Sequence, residues 1–202
     1  MNKAPKNSLM DIILASTSLY RRQLLERLQL PFRCVPPEAD ETPLPGEQPG
    51  ARAGRLALDK ARVVAAAEPR ALVIGSDQVA SLDGLILGKP GSHAAARQQL
   101  RASSGKVLHF WTGLAVVCRA RSLELRHTEP FSVHFRDLAD AAIDAYLRRE
   151  QPFDCAGSFK WEGLGIALFE KLAGNDPTSL EGLPLIALTT LLGQAGIDIP
   201  AP

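Results

Sequence analysis

The sequence is poor in cysteine and in aromatic residues. Its 202 residues include three cysteines, Cys34, Cys118 and Cys155, which lie far apart and outside any CxxC spacing. This pattern predicts reduced, buried thiols rather than a disulfide framework. Aromatic residues make up 5% of the chain, which is too few for a stacking platform on single-stranded nucleic acid.

The sequence also lacks a long apolar run and an excess of charge of one sign. No apolar run approaches the roughly 20 residues of a membrane span, and the apolar core of "MNKAPKNSLMDIILA" is too short for an export signal and is interrupted by Asp11. The formal net charge of +1 argues against a general nucleic-acid coat. We therefore expect a cytoplasmic protein without a nucleic-acid or membrane partner.

Several common signatures of catalysis are absent. The four histidines have neither an HExxH-like nor a zinc-finger spacing, and the sequence contains no GxSxG elbow and no GxGxxG turn. The segment "GLILGKP" is one residue short of a P-loop, and Pro90 stands where that motif needs a hydroxyl residue. Zinc-protease, serine-hydrolase, dinucleotide-binding and P-loop chemistry are thus disfavoured.

What the sequence does contain is an alternation of strand and helix patterns, which predicts the α/β class with a mixed sheet. Asp83-Gly84 is the strongest signal for a two-residue hairpin. Strands are predicted for "DIILA", "ALVIG", "KVLHFWTGLAVVC" and "LELRHTEPFSVHF", and helices for about 19–29, 51–68, 92–102, after Asp140 and within 179–196.

A strand, a Ser-Thr-Ser turn and a helix start follow one another at residues 12–29. Such a turn points free backbone N–H groups and a partial positive charge at whatever lies outside it, and phosphate is the natural ligand. Ser16 and Ser18 add hydroxyl donors, and the Arg21 guanidinium can bind two phosphate oxygens at once. The alternative is that Ser18 only caps the helix and that the arginines form a solvated face.

A second group of polar residues lies in "VIGSDQV", where Asp77 and Gln78 follow an apolar strand. Open α/β sheets usually bind ligands at the carboxyl ends of strands. The Asp83-Gly84 hairpin, counted back, pairs Gln78 with Lys89 and so predicts Lys89 beside Asp77. Alternatively, Asp77 is only a turn residue.

Two further segments carry charged residues with two possible interpretations each. In "GSFKWEG", Ser158, Lys160 and Glu162 alternate and would share one face of an extended segment, either as a polar wall or as an exposed edge strand with a surface ion pair. The loop "EADET" offers carboxylates, among them Glu41, that suit magnesium or simply add solubility.

Taken together, these segments closely resemble the Maf family of nucleoside triphosphate pyrophosphatases, in order and over nearly the whole chain. The segments that carry the resemblance are "LASTSLYRRQLLERL", "EADET", "LALDKA", "VIGSDQV", "LGKP", "SSGKVLHFWTGLAV" and "DCAGSFKWEGLGIALFE". The combination "STSxYRR", "SDQ" and "KWEG" is similar to the branch that acts on 7-methyl-GTP.

The resemblance implies an inosine triphosphatase-like fold, with a mixed twisted sheet, flanking helices and a ligand cleft between two lobes. Residues 10–200 would form this single domain, and residues 1–9 a flexible extension. It also implies a homodimer.

The resemblance further assigns roles to particular residues. Asp77 would act as proton acceptor, and Glu41 with Asp77 would hold a divalent metal cation, Mg2+ or Mn2+. Tyr20, Gln78 and Glu162 stand at the specificity positions. The residues that match the lining of the triphosphate cleft are Ser16, Ser18, Arg21, Lys60, Lys89 and Lys160.

This chain departs from the family pattern at two positions. Leu19 replaces the usual proline, so the turn before the helix is less fixed. Trp161 replaces a smaller residue.

The expected function is hydrolysis of 7-methyl-GTP to 7-methyl-GMP and pyrophosphate, which clears a modified nucleotide. Two alternatives stay open: a dTTP/UTP pyrophosphatase, and a nucleotide-sensing regulator of cell division that needs no turnover. Tyr20, Gln78 and Glu162 argue against the first alternative. The presence of a base, metal ligands and cations favours an enzyme over the second.

Overall fold

The computed structural model describes residues 10–200, so the extension predicted for residues 1–9 lies outside the described residues. The described α-helices are α1 (Leu19–Glu26), α2 (Pro49–Ala67), α3 (His93–Ser103), α4 (Asp140–Glu150) and α5 (Leu185–Gln194). The described strands are β1 (Ile12–Ala15), β2 (Arg33–Cys34), β3 (Leu72–Leu82), β4 (Leu85–Leu87), β5 (Val107–Cys118), β6 (Leu123–Phe135) and β7 (Phe169–Gly174). Short 3-10 helices include Pro177–Glu181.

The strands form one mixed sheet in the order β2-β1-β3-β5-β6-β7, with β4 paired to the edge of β3. β1 is parallel to β2 and β3, and every other pairing is antiparallel. The predicted mixed α/β sheet is therefore confirmed. Asp83 and Gly84 form the predicted hairpin turn, and both have the positive φ that a two-residue turn of this kind requires.

One edge of β3 is left open over four residues. β1 leaves β3 at Gly75, and β4 joins the same edge at Ala80. Residues 76–79 between them pair with β5 on the other edge, but within residues 10–200 no strand covers this side. We call residues 76–79 the edge gap.

The edge gap corrects two predictions about Asp77. The residue lies neither at the carboxyl end of a strand nor in a turn, because antiparallel pairing with β5 continues through it and makes β3 a single strand of 11 residues. The parallel partner β1 does end beside it, at Ala15. Asp77 therefore lies beside the carboxyl end of β1 rather than at the end of its own strand.

The predicted pairing of Gln78 with Lys89 is also wrong. β4 has three residues and ends at Leu87, since Gly88 has no side chain to pack and Pro90 has no N–H to donate. The predicted shared face of Ser158, Lys160 and Glu162 fails as well, because turns at residues 156–157 and 161–163 replace the extended strand. Ser158 is buried with a positive φ and donates to Gln99 instead.

The two faces of the sheet pack against different helices, as the alternation of side chains along a strand requires. Ile12, Leu14 and Ile74 pack with α1 and α5, whereas Ile13 and Val73 face α2. A separate cluster around Phe135 joins α3 and α4 to the other end of the long strands. The cleft described below is lined in part by the cluster around Phe135.

Helix α2 lies unusually close to the sheet because two strand positions opposite it are glycine. A Cβ added to Gly75 or Gly113 would collide with the backbone of α2, at the carbonyl of Ala57 or of Ala53. The absence of side chains at these two positions brings α2 against β3 and β5, and so fixes the height of the helix above the edge gap.

Two other sequence predictions concern cysteines and membrane spans. The three cysteines are free thiols as predicted, but Cys118 alone is buried, Cys155 is half-buried and Cys34 is exposed. Among the helices of residues 10–200, none is both long and apolar enough to cross a membrane.

Candidate active site

A cleft of about 780 Å³ opens at the edge gap of β3. All eleven residues that the sequence analysis assigned to the site contribute to its lining. They are Ser16, Ser18, Tyr20, Arg21, Glu41, Lys60, Asp77, Gln78, Lys89, Lys160 and Glu162. The structure thus brings together residues from six separate stretches of the chain, including Lys89, which follows the end of β4 and does not pair with Gln78.

The turn between β1 and α1 is held by its own serines. Ser18 N–H donates to Ser16 Oγ over 3.1 Å, and the Ser18 hydroxyl caps α1 by accepting from Arg21 N–H over 3.4 Å. The capping interpretation of Ser18 is therefore correct. Capping does not remove the residue from the cleft, which both serines line.

The Arg21 guanidinium is held by its Nε, and its two terminal nitrogens are free to bind a ligand. Its Nε donates to the carbonyl of Gly182 over 2.9 Å, and the hydroxyl of Ser76 donates to the same carbonyl over 2.8 Å. Within residues 10–200 its two terminal nitrogens make no hydrogen bond. Burial lowers the pKa of Arg21, while the nearby charges of Asp77 and Glu41 act in the opposite direction. The alternative that the Arg21 guanidinium is a solvated surface group is wrong.

Lys60 joins the two carboxylates that were predicted to bind metal. Its Nζ lies 2.7 Å from Asp77 Oδ1 and 2.7 Å from Glu41 Oε1. The Lys60 and Asp77 side chains are about nine-tenths buried, whereas that of Glu41 is 59% exposed. The hydrogen bond from Lys60 lowers the pKa of Glu41, so this carboxylate is ionised at neutral pH.

The residues present fit a hard divalent cation. Glu41 and Asp77 already face one positive charge, and the described residues give neither Glu41 Oε2 nor Asp77 Oδ2 a hydrogen-bond partner. Within residues 10–200, no further histidine, cysteine, aspartate or glutamate joins Glu41 and Asp77 to form a group of three metal ligands. One or two carboxylates, with water and phosphate oxygens as the remaining ligands, is the arrangement that Mg2+ commonly takes.

Gln78 points to the opposite face of the sheet from Asp77. Its Nε2 donates to the carbonyls of Ser179 over 2.6 Å and of Leu180 over 3.2 Å. Because both partners are acceptors, the amide nitrogen must face them, and Oε1 is left as an acceptor. No described residue donates to Oε1, so Gln78 can accept from a donor edge such as N1–H and N2–H of guanine.

The far side of the cleft is acidic. We call Asp154, Glu162 and Glu181 the acidic wall. Burial raises the pKa of Tyr20 to about 12, and the charges of Asp154 and Glu162 act in the same direction. Burial likewise raises the pKa of the Cys155 thiol to about 12, so this thiol is protonated at neutral pH and is a poor nucleophile.

Three charged residues of the cleft were missed by the sequence analysis: Arg52, Asp154 and Glu181. Arg52 had a usable signal, since it precedes Lys60 by eight residues on α2 and therefore lies on the same helical face. Its Nε is buried without a partner among the described residues. Asp154 and Glu181 had no such signal, because only the tertiary fold brings them into the cleft.

Trp161, the second departure from the family pattern, lines the cleft and is half-buried against the aromatic cluster around Phe135. Its Nε1 is buried and donates to no described residue. The other departure, Leu19, is exposed at the first position of α1, where Ser18 supplies the cap that fixes the turn.

Comparison with known proteins gives two kinds of match. A sequence model of the Maf-like protein family matches residues 11–195. A 7-methyl-GTP pyrophosphatase of Nitrosococcus oceani is 57% identical over 188 residues, which are 93% of this chain and 94% of that protein. A 7-methyl-GTP pyrophosphatase of a Polaromonas species is 55% identical over 188 residues, covering 93% of this chain and 86% of that protein. The Staphylococcus aureus Ham1 protein structure is 16% identical with a TM-score of 0.46, covering 63% of this chain and 72% of that chain.

Proposed function

Because the chain belongs to the Maf family, we propose that it is a hydrolase that cleaves 7-methyl-GTP into 7-methyl-GMP and pyrophosphate. The single observation that carries the proposal is the edge gap of β3. There, Asp77 with Lys60 and Glu41 lies on one face of the sheet, Gln78 on the other, and both faces open into one cleft. The names of the two close relatives support this substrate.

The reaction joins a water oxygen to the α-phosphorus and breaks the bond from that phosphorus to the α-β bridging oxygen, so that pyrophosphate leaves. Asp77 accepts the proton of the attacking water, which places the base at the only ionisable side chain of the edge gap. The terminal nitrogens of Arg21, with Lys60, Lys89 and Lys160, neutralise the charge of the triphosphate.

Glu41 and Asp77 would hold the divalent metal, Mg2+ or Mn2+. When bound, the ion would neutralise phosphate charge and orient the leaving group. Lys60 keeps both carboxylates directed at one point and keeps Glu41 ionised.

The base is recognised at the acidic side of the cleft. The 7-methylguanine ring carries a positive charge, which Glu162 favours over the neutral ring of guanine, and Tyr20 adds a cation-π contact. The free Oε1 of Gln78 accepts from guanine N–H groups. Pyrimidines have a different donor edge and no comparable charge.

A substrate panel tests this function. With magnesium, kcat/KM for pyrophosphate release should be highest for 7-methyl-GTP among 7-methyl-GTP, GTP, dTTP, UTP and CTP. A preference for dTTP or UTP would be consistent with a nucleotide pyrophosphatase but would refute 7-methylguanine as the recognised nucleobase. No pyrophosphate from any of the five would instead favour the nucleotide-sensing alternative.

Replacing Glu162 with glutamine tests how the base is recognised. The substitution keeps the size of the side chain and one acceptor oxygen but removes the charge, so the preference for 7-methyl-GTP over GTP should fall about tenfold. The ratio of the two kcat/KM values is the measurement. Glu170→Gln is the matched control, because Glu170 is exposed on β7 and outside the cleft. An unchanged ratio in Glu162→Gln would show that Glu162 does not read the charge.

Three accompanying predictions belong to the same proposal. We propose a homodimer, a cytoplasmic location, and no nucleic-acid or membrane partner. The near-neutral net charge supports the last of these.

A further inference from the structure

Glu181 is a carboxylate without a structural partner of its own in the fold. It ends the 3-10 helix Pro177–Glu181, lines the cleft, and its side chain is 10% exposed. Its one ion pair within residues 10–200 is with Arg27 at 3.7 Å, a long contact to a side chain that is 56% exposed. No described residue donates a hydrogen bond to it. A carboxylate held in this way contributes little to folding.

The surroundings of Glu181 make its charge unfavourable in the free protein. Burial raises the pKa of Glu181, the charge of Glu162 raises it further, and Arg27 opposes both. Neighbouring like charges, in a cleft that excludes part of the water, create a region of negative potential. A cation beside Glu181 and Glu162 would offset their mutual repulsion, so this pair of carboxylates favours a positively charged ligand.

The position of Glu181 is fixed by the residues on either side of it. The carbonyl of Leu180 accepts from Gln78, and the carbonyl of Gly182 accepts from Arg21 and Ser76. The chain is thus anchored to the edge gap immediately before and after Glu181. Its carboxylate is therefore presented to the cleft from a rigid segment, as a specificity residue should be.

On the basis of the proposed function, we propose that Glu181 is a second specificity-determining carboxylate, which acts with Glu162 to bind purine rings that carry a positive charge. The substrate class is then guanine nucleotides alkylated at N7, of which 7-methyl-GTP is the smallest member. Glu162, from a loop, and Glu181, from the 3-10 helix, together bind the positive charge of the ring. Gln78 accepts hydrogen bonds from the guanine N–H groups.

The test compares Glu181→Gln, Glu162→Gln, the double variant and the control Glu170→Gln. The measurement is the ratio of kcat/KM for 7-methyl-GTP to that for GTP at low ionic strength. Glu181→Gln should lower the ratio about fivefold, and the double variant should lower it further than either single one. Glu170→Gln should leave it unchanged.

The outcomes separate this proposal from the proposed function. If Glu162→Gln lowers the ratio and Glu181→Gln does not, the role of Glu181 is refuted while the function stands. If the wild type itself does not prefer 7-methyl-GTP, the proposed function fails, whatever Glu181 does.

A folding measurement excludes a purely structural role for Glu181. Because its pKa is raised, the ionisation of Glu181 costs folding stability as the pH rises through that pKa. The charged groups that act on it are Arg27, which follows the last residue of α1, and Glu162, with Arg21 against the adjoining Gly182. At pH 8 Glu181→Gln should therefore unfold at a temperature no lower than the wild type. A clearly lower unfolding temperature would mark Glu181 as a structural residue and overturn the proposal.

Discussion

Replacing Asp77 with asparagine should lower kcat for pyrophosphate release about a thousandfold, the range expected when a general base is lost. The substitution keeps the shape of the side chain but removes both the proton acceptor and the negative charge of one of the two proposed metal ligands. The fold should survive, because Lys60, whose ammonium would otherwise be left buried and unpaired, keeps its 2.7 Å contact with Glu41.

Steady-state kinetics with saturating 7-methyl-GTP and magnesium measure this loss, and thermal unfolding verifies the fold. Asp59→Asn is the control, since Asp59 lies one residue before Lys60 on α2 but pairs with Arg55 away from the cleft. A variant that retains more than about a tenth of the wild-type kcat would refute Asp77 as the base. In cells, a sensor should keep its effect when Asp77 is changed, whereas an enzyme should lose it.

Replacing Gly75 with alanine should destabilise the protein by about 3 kcal/mol, at the upper end for an overpacked core. The added methyl group would meet the carbonyl of Ala57 and would lie 2.9 Å from Ala61 Cβ. Backbone cannot rotate away as a side chain can, so α2 must move outward. Lys60 adjoins Ala61 and moves with the helix, which should also separate it from Asp77 and reduce activity in the fraction that stays folded.

Chemical denaturation gives the free energy of unfolding for this variant. Gly193→Ala is the control, because it is not expected to lower the free energy of unfolding. Gly193 lies in α5 with no atom within 4 Å of the added Cβ, so alanine should be neutral or stabilise by up to about 1 kcal/mol. If Gly75→Ala unfolds with the same free energy as the wild type, α2 does not depend on this close approach.

The parts of the fold that local chemistry decides were predictable. The bounds of β6 match the predicted segment, Asp83-Gly84 forms the hairpin, and Ser18 caps α1. The extent of β4 was not predictable from the hairpin alone, because Gly88 and Pro90 end a pairing that the turn by itself would allow to continue.

The sequence predicted which residues line the candidate site better than it predicted how the strands bring them together. Asp77, Gln78 and Lys89 do line one cleft, yet the register that was expected to join them does not exist, since β5 rather than β4 holds this part of β3. Glu181 escaped prediction because only the tertiary fold brings it into the cleft with Glu162. Patterns of period 2 or 3.6 carry no information about such an encounter.

The edge gap has a consequence for how the protein selects substrates by size. The gap is bordered on β3 by the pair of Gly75 with Ala15 of β1 and by the pair of Ala80 with Leu87 of β4. Its width is therefore set by the four residues between these pairs, at about 3.3 Å each. An opening bounded by hydrogen-bonded strands cannot widen or narrow continuously as a loop-bounded one does. The width of the gap can change only by whole residues, when β1 or β4 gains or loses a residue pair with β3. Relatives that accept larger or smaller ligands at this place are therefore expected to differ in the length of β4, at the Gly88–Pro90 stop, more than in the chemistry of the residues between.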